Sequence, residues 1–299
     1  MNQRKPWAGV LVATALPWAD DDTPDLDAYA RHVEWLADNG CHGVVPNGSL
    51  GEYQVLTDAQ RDAVIATAVA ATPDRCSVMP GVAAYGAKQA RRNAEAAGAA
   101  GCEAVMLLPP NSFRASRQEV VEHYRIVAEA GLPVVAYNNP FDTKVDLVPS
   151  LLAELFHEEL IVGVKEFTGD VRRYYEITEQ APGLDVLAGS DDVALELAIA
   201  GSPGWVSGYP NAFPRACVEL FEAASAGDLA TAMPLYRTLH PLLRWDSKTE
   251  FVQAIKLSMD LVPDAVGGGR CQPPRGPLSP EVTAQVREAT EKALAEGLG

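Results

Sequence analysis

Short apolar runs alternate with longer amphipathic stretches from Trp7 to about Gly208. The runs fall at Gly9–Thr14, Gly43–Pro46, Ser77–Pro80, Ala104–Leu108, Val134–Tyr137, Ile161–Lys165, Asp185–Ala188 and Gly204–Ser207. Short, continuously apolar segments predict strands covered on both faces. Between them, helical spacing of apolar residues predicts helices over Leu26–Asp38, Asp58–Ala71, Ala87–Ala99, Arg117–Ala130, Val148–Phe156, Val171–Gln180 and Asp192–Ala200. Thr57-Asp58 supplies a start signal, and Asn39-Gly40 and Ala130-Gly131 supply stops. Asp191-Asp192 is placed to cap the helix that follows it.

Eight strand–helix units in about two hundred residues predict an α/β fold, a (β/α)8 TIM barrel, rather than an open doubly wound sheet. After the eighth strand the alternation stops. Pro214–Ala226, Asp228–Trp245 and Lys248–Asp260 read as consecutive helices, followed by a Gly/Pro-rich connector over Pro263–Pro280 and a last helix, Glu281–Leu298. The expected organisation is a barrel over residues 1–210, with its site at the C-terminal strand ends. A C-terminal helical extension, residues 211–299, packs on it.

Composition narrows the classes. A chain of 299 residues can bury a large core, and 47% hydrophobic with 21% charged residues is ordinary for a globular enzyme. The net charge of −16 argues against nucleic acid or an anionic membrane surface as partner. The five cysteines, Cys41, Cys76, Cys102, Cys217 and Cys271, form no C-x-x-C pair and point to free thiols in a reducing cytoplasm. His32, His42, His123, His157 and His240 lack ligand spacing, so no metal is expected, nor is a cofactor. Arg4-Lys5 before the apolar run Trp7 to Ala19 imitates a signal peptide. Pro17, Trp18 and the acidic cluster Asp20-Asp21-Asp22 favour a first buried strand instead.

Chemistry enters at the strand ends. The sixth run closes on Lys165, and an ammonium group buried there without a partner costs several kcal/mol in practice. A lowered pKa would leave a free amine able to attack a carbonyl carbon. The fifth run closes on Tyr137, a phenol, and the second leads into Gly48-Ser49-Leu50-Gly51-Glu52. In a parallel barrel all three converge on one face. The flanking glycines let successive N–H groups turn towards an anion such as a carboxylate. The loop is no P-loop, because the Gly-Lys-Ser/Thr ending is missing.

Over nearly its whole length the chain resembles the dihydrodipicolinate synthase/N-acetylneuraminate lyase family of Schiff-base lyases. The resemblance rests on Gly48–Glu52, Tyr137-Asn138 followed by Pro140, Gly163-Val164-Lys165-Glu166, Gly189-Ser190-Asp191-Asp192 and the helical C-terminal region. It implies that Lys165 forms the Schiff base, that Tyr137 is the acid–base, and that Ser49 serves the proton relay. It also implies Gly48, Ser49, Leu50, Gly189 and Val206 as substrate-binding positions. The implied partner is a small 2-oxo acid or its cyclic imine, and the implied assembly is a homodimer or homotetramer.

Several positions depart from the synthase pattern. Ser49-Leu50 replaces two threonines, Pro109-Pro110-Asn111-Ser112 replaces a Pro-Tyr-Tyr-Asn run, and Asp142 stands where an arginine is expected. Neuraminate lyases follow the lysine with Phe-Thr, whereas Glu166 intervenes here. On these grounds a synthase of lysine biosynthesis is not expected. The segments Asn47–Glu52, Tyr137–Pro140, Lys165–Arg173 and Asp246–Lys256 are similar to 1-pyrroline-4-hydroxy-2-carboxylate deaminases. The expected reaction is therefore dehydration and deamination to 2,5-dioxopentanoate and ammonia. A pyruvate-yielding retro-aldolase of a sugar acid and an inactive 2-oxo-acid-binding barrel are the alternatives.

Overall fold

In the computed structural model, which describes residues 4–299, eight parallel strands carry the predicted apolar runs. They are β1 (Gly9–Ala13), β2 (Gly43–Val45), β3 (Ser77–Val78), β4 (Val105–Leu107), β5 (Val134–Asn138), β6 (Gly163–Glu166), β7 (Asp185–Ala188) and β8 (Gly204–Ser207). Their order is β3-β2-β1-β8-β7-β6-β5-β4, a curled sheet. A parallel bridge between Gly81 and Met106 joins its two edges. There Met106 N–H donates to Pro80 O at 2.9 Å and Val82 N–H donates to Met106 O at 3.0 Å. The ring is thereby closed just beyond the two-residue β3.

Helices α1 (Leu26–Asp38), α2 (Asp58–Ala71), α3 (Ala87–Ala99) and α4 (Arg117–Ala128) alternate with the first strands. A single turn, α5 (Pro140–Thr143), then precedes α6 (Pro149–His157), α7 (Arg172–Gln180) and α8 (Ala194–Ala200). Capping boxes start two of them, Thr57 with Gln60 on α2 and Ser116 with Glu119 on α4. The turn α5 was absent from the sequence reading. It forms because Pro140 sits at its first position and Asn139 Oδ1 accepts from Asp142 N–H. Helix α8 has no side-chain cap, because Asp191 turns instead to Trp205 of β8 and the backbone just after it.

Beyond β8 come α9 (Pro214–Ser225), α10 (Leu229–Leu243), α11 (Phe251–Leu261) and α12 (Pro280–Ala295). Helix α9 packs against α8, α10 and β1, while α12 packs against α10 and α11. No helix among the described residues is long and apolar enough to cross a membrane.

Two apolar layers hold the molecule together. One fills the space between strands and helices. The other fills the barrel interior, with Leu11, Val45, Met106, Val135, Tyr137, Leu187 and Val206. Strand side chains alternate, so the sequence Val135, Tyr137 points inward while Asn138 points out. That alternation carries Lys165 inward and Glu166 outward on β6.

Candidate active site

Strands β5 and β6 place an amine beside a phenol. Tyr137 and Lys165 are direct register partners, each one residue short of its strand's end. Lys165 Nζ lies 4.5 Å from the centroid of the Tyr137 ring and 5.6 Å from that of Phe167. Lys165 is only 5% exposed, and among the described residues no carboxylate oxygen lies within 4.0 Å of its Nζ. Burial therefore lowers its pKa below the ordinary lysine value, and Asp246 and then Asp191 oppose the shift. The same burial, helped by the negative charge of Asp246, raises the Tyr137 pKa well above 10. At neutral pH the site thus presents a phenol that holds its proton next to an amine disposed to lose one. Asn139 Nδ2 donates to the Tyr137 hydroxyl at 3.4 Å and fixes where it points.

On the outer face, Glu166 and Asn138 brace the same strand ends. Asn138 Nδ2 donates to Glu166 Oε2 at 3.0 Å and to Asp146 Oδ1 at 3.2 Å. Asp146 in turn pairs with Arg173 at 2.6 Å. Arg173 is therefore part of a lock on β5 and β6. Glycine at 189 belongs to this packing, since a Cβ there would come within 2.4 Å of Glu166 O and 2.9 Å of Lys165 Cγ.

The loop after β2 approaches from the other side. Its left-handed backbone positions are Asn47 (φ 57°) and Glu52 (φ 53°), not the glycines. Gly51 is needed for a different reason, because a Cβ there would press on Thr14 O at 3.1 Å. Glu52 is anchored from below. Its Oε1 accepts from Lys256 Nζ at 2.8 Å and from Trp18 Nε1 at 2.9 Å, and its Oε2 accepts from Gln272 N–H at 2.7 Å. Lys256 and Glu52 are 1% and 3% exposed, so this is a fully buried ion pair tying the loop to α11.

A cavity of about 480 Å³ opens between these elements. Lys165, Tyr137, Gly48, Ser49 and Leu50 all line it. Of the other two positions implied at the outset, Gly189 packs against the backbone of β6 and Val206 is fully buried in the barrel interior, so neither lines the cavity. The cavity also holds residues that sequence reasoning did not assign. Tyr53 lines it and accepts at its hydroxyl from Asn111 Nδ2 at 3.2 Å. Asp246, Lys248 and Arg275 reach it from the C-terminal helices and connector. Tyr53 follows Glu52 directly and was findable as the next residue of the loop. Arg275 sits in the Gly/Pro-rich connector, while Asp246 and Lys248 sit in the turn before α11, which begins three residues later than the helix predicted from Lys248. Among the described residues, no group of three or more His, Cys, Asp or Glu is arranged to hold a metal ion.

A barrel with a buried lysine in register with a phenol defines an enzyme of the class I aldolase type, which works through a lysine imine. The family model of the dihydrodipicolinate synthetase family matches residues 6–293, and the chain belongs to that family. The 4-hydroxy-tetrahydrodipicolinate synthase of Methanothrix thermoacetophila is 33% identical over 290 residues, spanning 95% of this chain and 96% of that protein. That of Anaeromyxobacter dehalogenans is 33% identical over 285 residues, 94% of this chain and 95% of the relative. Among solved structures, dihydrodipicolinate synthase from Aquifex aeolicus superposes with a TM-score of 0.90 at 26% identity, covering 98% of this chain and 99% of that one. A prophage protein of the dihydrodipicolinic acid synthase family from E. coli K12, solved in complex with pyruvate, gives 0.89 at 25% identity, covering 98% and 99%.

These relatives overturn the expectation of a hydroxypyrroline-carboxylate deaminase, and with it the argument against synthase-type chemistry. The geometry shows why the sequence departures misled. Asn111 does not leave the cavity without a second phenol, because it holds Tyr53 there. Asp142 is exposed and accepts from Asn139 Nδ2 at 2.9 Å, and the same cavity carries the cations Lys248 and Arg275. Identity at one aligned position says little about net charge when other segments supply it.

Proposed function

We propose that this protein forms an imine between Lys165 and a short 2-oxo acid of the pyruvate type, and makes or breaks a bond at the adjacent carbon. The synthase direction is favoured by the names of its curated relatives, and pyruvate by the E. coli complex. The observation that carries the reading is Lys165 itself: buried, unpaired within ion-pair distance and seated over Tyr137 in the cavity.

The free amine adds to the 2-oxo carbon, and loss of water gives an iminium. The iminium withdraws electrons, so the neighbouring carbon releases a proton and becomes an enamine. That carbon attacks the aldehyde of a second substrate, and hydrolysis returns the lysine. Tyr137 holds a proton in the empty site and supplies it to a developing alkoxide, taking it back later. Ser49, at the mouth of the β2 loop, is the hydrogen-bonding group for the carboxylate of the 2-oxo acid. Lys248 and Arg275 suit an aldehyde that itself bears a carboxylate.

The test is borohydride reduction in the presence of pyruvate, followed by peptide mass spectrometry. A pyruvate-derived adduct on Lys165, absent from Lys165→Ala, is expected. Wild-type protein that stays unmodified with pyruvate and related 2-oxo acids would falsify the reading. Consumption of pyruvate with carboxylate-bearing aldehydes then identifies the acceptor.

A further inference from the structure

Asp246 is a buried carboxyl with one oxygen left unpartnered. It follows α10 in the turn that leads to α11, far from the barrel strands in sequence, yet lines the same cavity as Lys165 and Tyr137. It is 8% exposed, and its Oδ2 is buried without any hydrogen-bond partner. The fold makes room for it on purpose. A Cβ on Gly208 would fall 2.7 Å from Asp246 Oδ1 and 2.7 Å from Ile255 Cδ1, so only glycine there leaves the carboxyl in place.

The groups that face it are Lys165 on β6, Tyr137 on β5, Asp191 and Asp192 after β7, and Tyr209 after β8. Asp191 is committed elsewhere: its Oδ1 accepts from Trp205 Nε1 at 2.9 Å, and its Oδ2 accepts from the N–H groups of Gly208 and Tyr209 at 3.2 and 3.1 Å. Of these two buried carboxyls, Asp246 is the one with an unpartnered buried oxygen. Burial, and then the neighbouring Asp191, push the Asp246 carboxyl well above the usual carboxylate range, while Lys165 acts the other way.

We propose that Asp246 is the acid that expels water from the Lys165 carbinolamine and then remains as the counter-ion of the iminium. This rests on the imine chemistry proposed above and assigns a role within it. The Lys165 amine adds to the 2-oxo carbon, and a proton moves from nitrogen to oxygen, leaving a neutral carbinolamine. The Asp246 carboxyl gives its proton to the carbinolamine hydroxyl, the C–O bond breaks, and water departs. An iminium cation and an Asp246 carboxylate form together, so charge is conserved and no unpaired ion appears in the cavity. Asp246 lines the same cavity as Lys165, and among the described residues no carboxylate oxygen lies within 4.0 Å of Nζ, so no direct ion pair blocks the amine.

The experiment measures the rate of Lys165 imine formation with pyruvate by rapid mixing and borohydride quench. Wild type, Asp246→Asn and Asp246→Ala are compared, with thermal melts of each. Asp246→Asn is expected to slow trapping by roughly 100-fold, the scale of losing a positioned acid. Added formate is expected to restore the rate of Asp246→Ala in proportion to its acid form, which a merely structural role would not allow. Trapping at the wild-type rate in either variant overturns the proposal. Slow trapping in folded Asp246→Ala that formate leaves unchanged also overturns it and assigns the residue to packing. Wild-type protein that forms no adduct at all removes the imine reading itself, and this inference with it.

Discussion

Tyr137 and Lys165 are register partners across the β5–β6 ladder, with the lysine Nζ 4.5 Å from the centroid of the phenol ring. Adjacent parallel strands in register bring side chains of the same parity to the same face. The pair is therefore held by backbone hydrogen bonds, not by flexible side chains finding each other.

Tyr137→Phe keeps the ring beneath Nζ and removes only the hydroxyl. Turnover is expected to fall by roughly 10²–10⁴-fold, with the Lys165–pyruvate adduct still trapped by borohydride. Steady-state kinetics beside intact-mass analysis separates the two effects. Unchanged turnover would remove Tyr137 from the proton transfers.

Lys165→Met keeps the reach of the side chain and deletes the amine. No adduct is expected, and the fold should gain about 0.5–2 kcal/mol, the usual return from relieving a functional site. The sign with pH follows from the lowered pKa of Lys165. Below its folded value, the group is protonated in both states and its buried charge destabilises the native one. As pH rises from there towards the unfolded value of about 10.4, the native state sheds the proton first and the penalty fades. The stability gap between variant and wild type should therefore narrow as pH rises, in urea titrations across that range. A gap that widens with pH contradicts the assignment.

Lys256→Met strips the partner from the buried Glu52 carboxylate. Breaking one side of such a pair costs about 3–5 kcal/mol, seen as a lower denaturant midpoint. Combining it with Glu52→Gln should recover part of the loss, because no uncompensated charge then remains. Additive losses in the double variant would mean that the two residues do not act as a pair.

Gly189→Ala forces a methyl against Glu166 O and Lys165 Cγ. A stability loss of about 1–3 kcal/mol is expected from overpacking. Adduct formation should slow by roughly 100-fold, the effect of misplacing a reacting group by about 1 Å. Thermal melts and borohydride trapping at one temperature measure both. Wild-type trapping in a destabilised variant would show that β6 tolerates the shift.

The eight strands were readable because a strand buried on both faces has no polar face to interrupt its apolar run. Closure was not readable. The β3 ladder is two residues long, and the ring is completed by a single bridge from Gly81, just beyond the β3 run, to Met106 of β4. Lys165 and Tyr137 stood out because charge and phenol are unusual at the ends of such runs. Asp246 and Arg275 did not, since a turn and a proline-rich connector carry no periodic signal. The substrate was misread from Asp142 and Asn111, whose partners Asn139 and Tyr53 are set by tertiary contact alone.

The carboxyl at 246 and the cations at 248 and 275 belong to the arm beyond the barrel, whereas the lysine proposed to form the imine belongs to its staves. Molecular taste is thus written largely in a passage of the chain separate from the one that carries the lysine. A graft of the turn between α10 and α11 from a relative, made with Asp246 retained, should alter which acceptor is welcomed while leaving the lysine's reaction with its first guest in place.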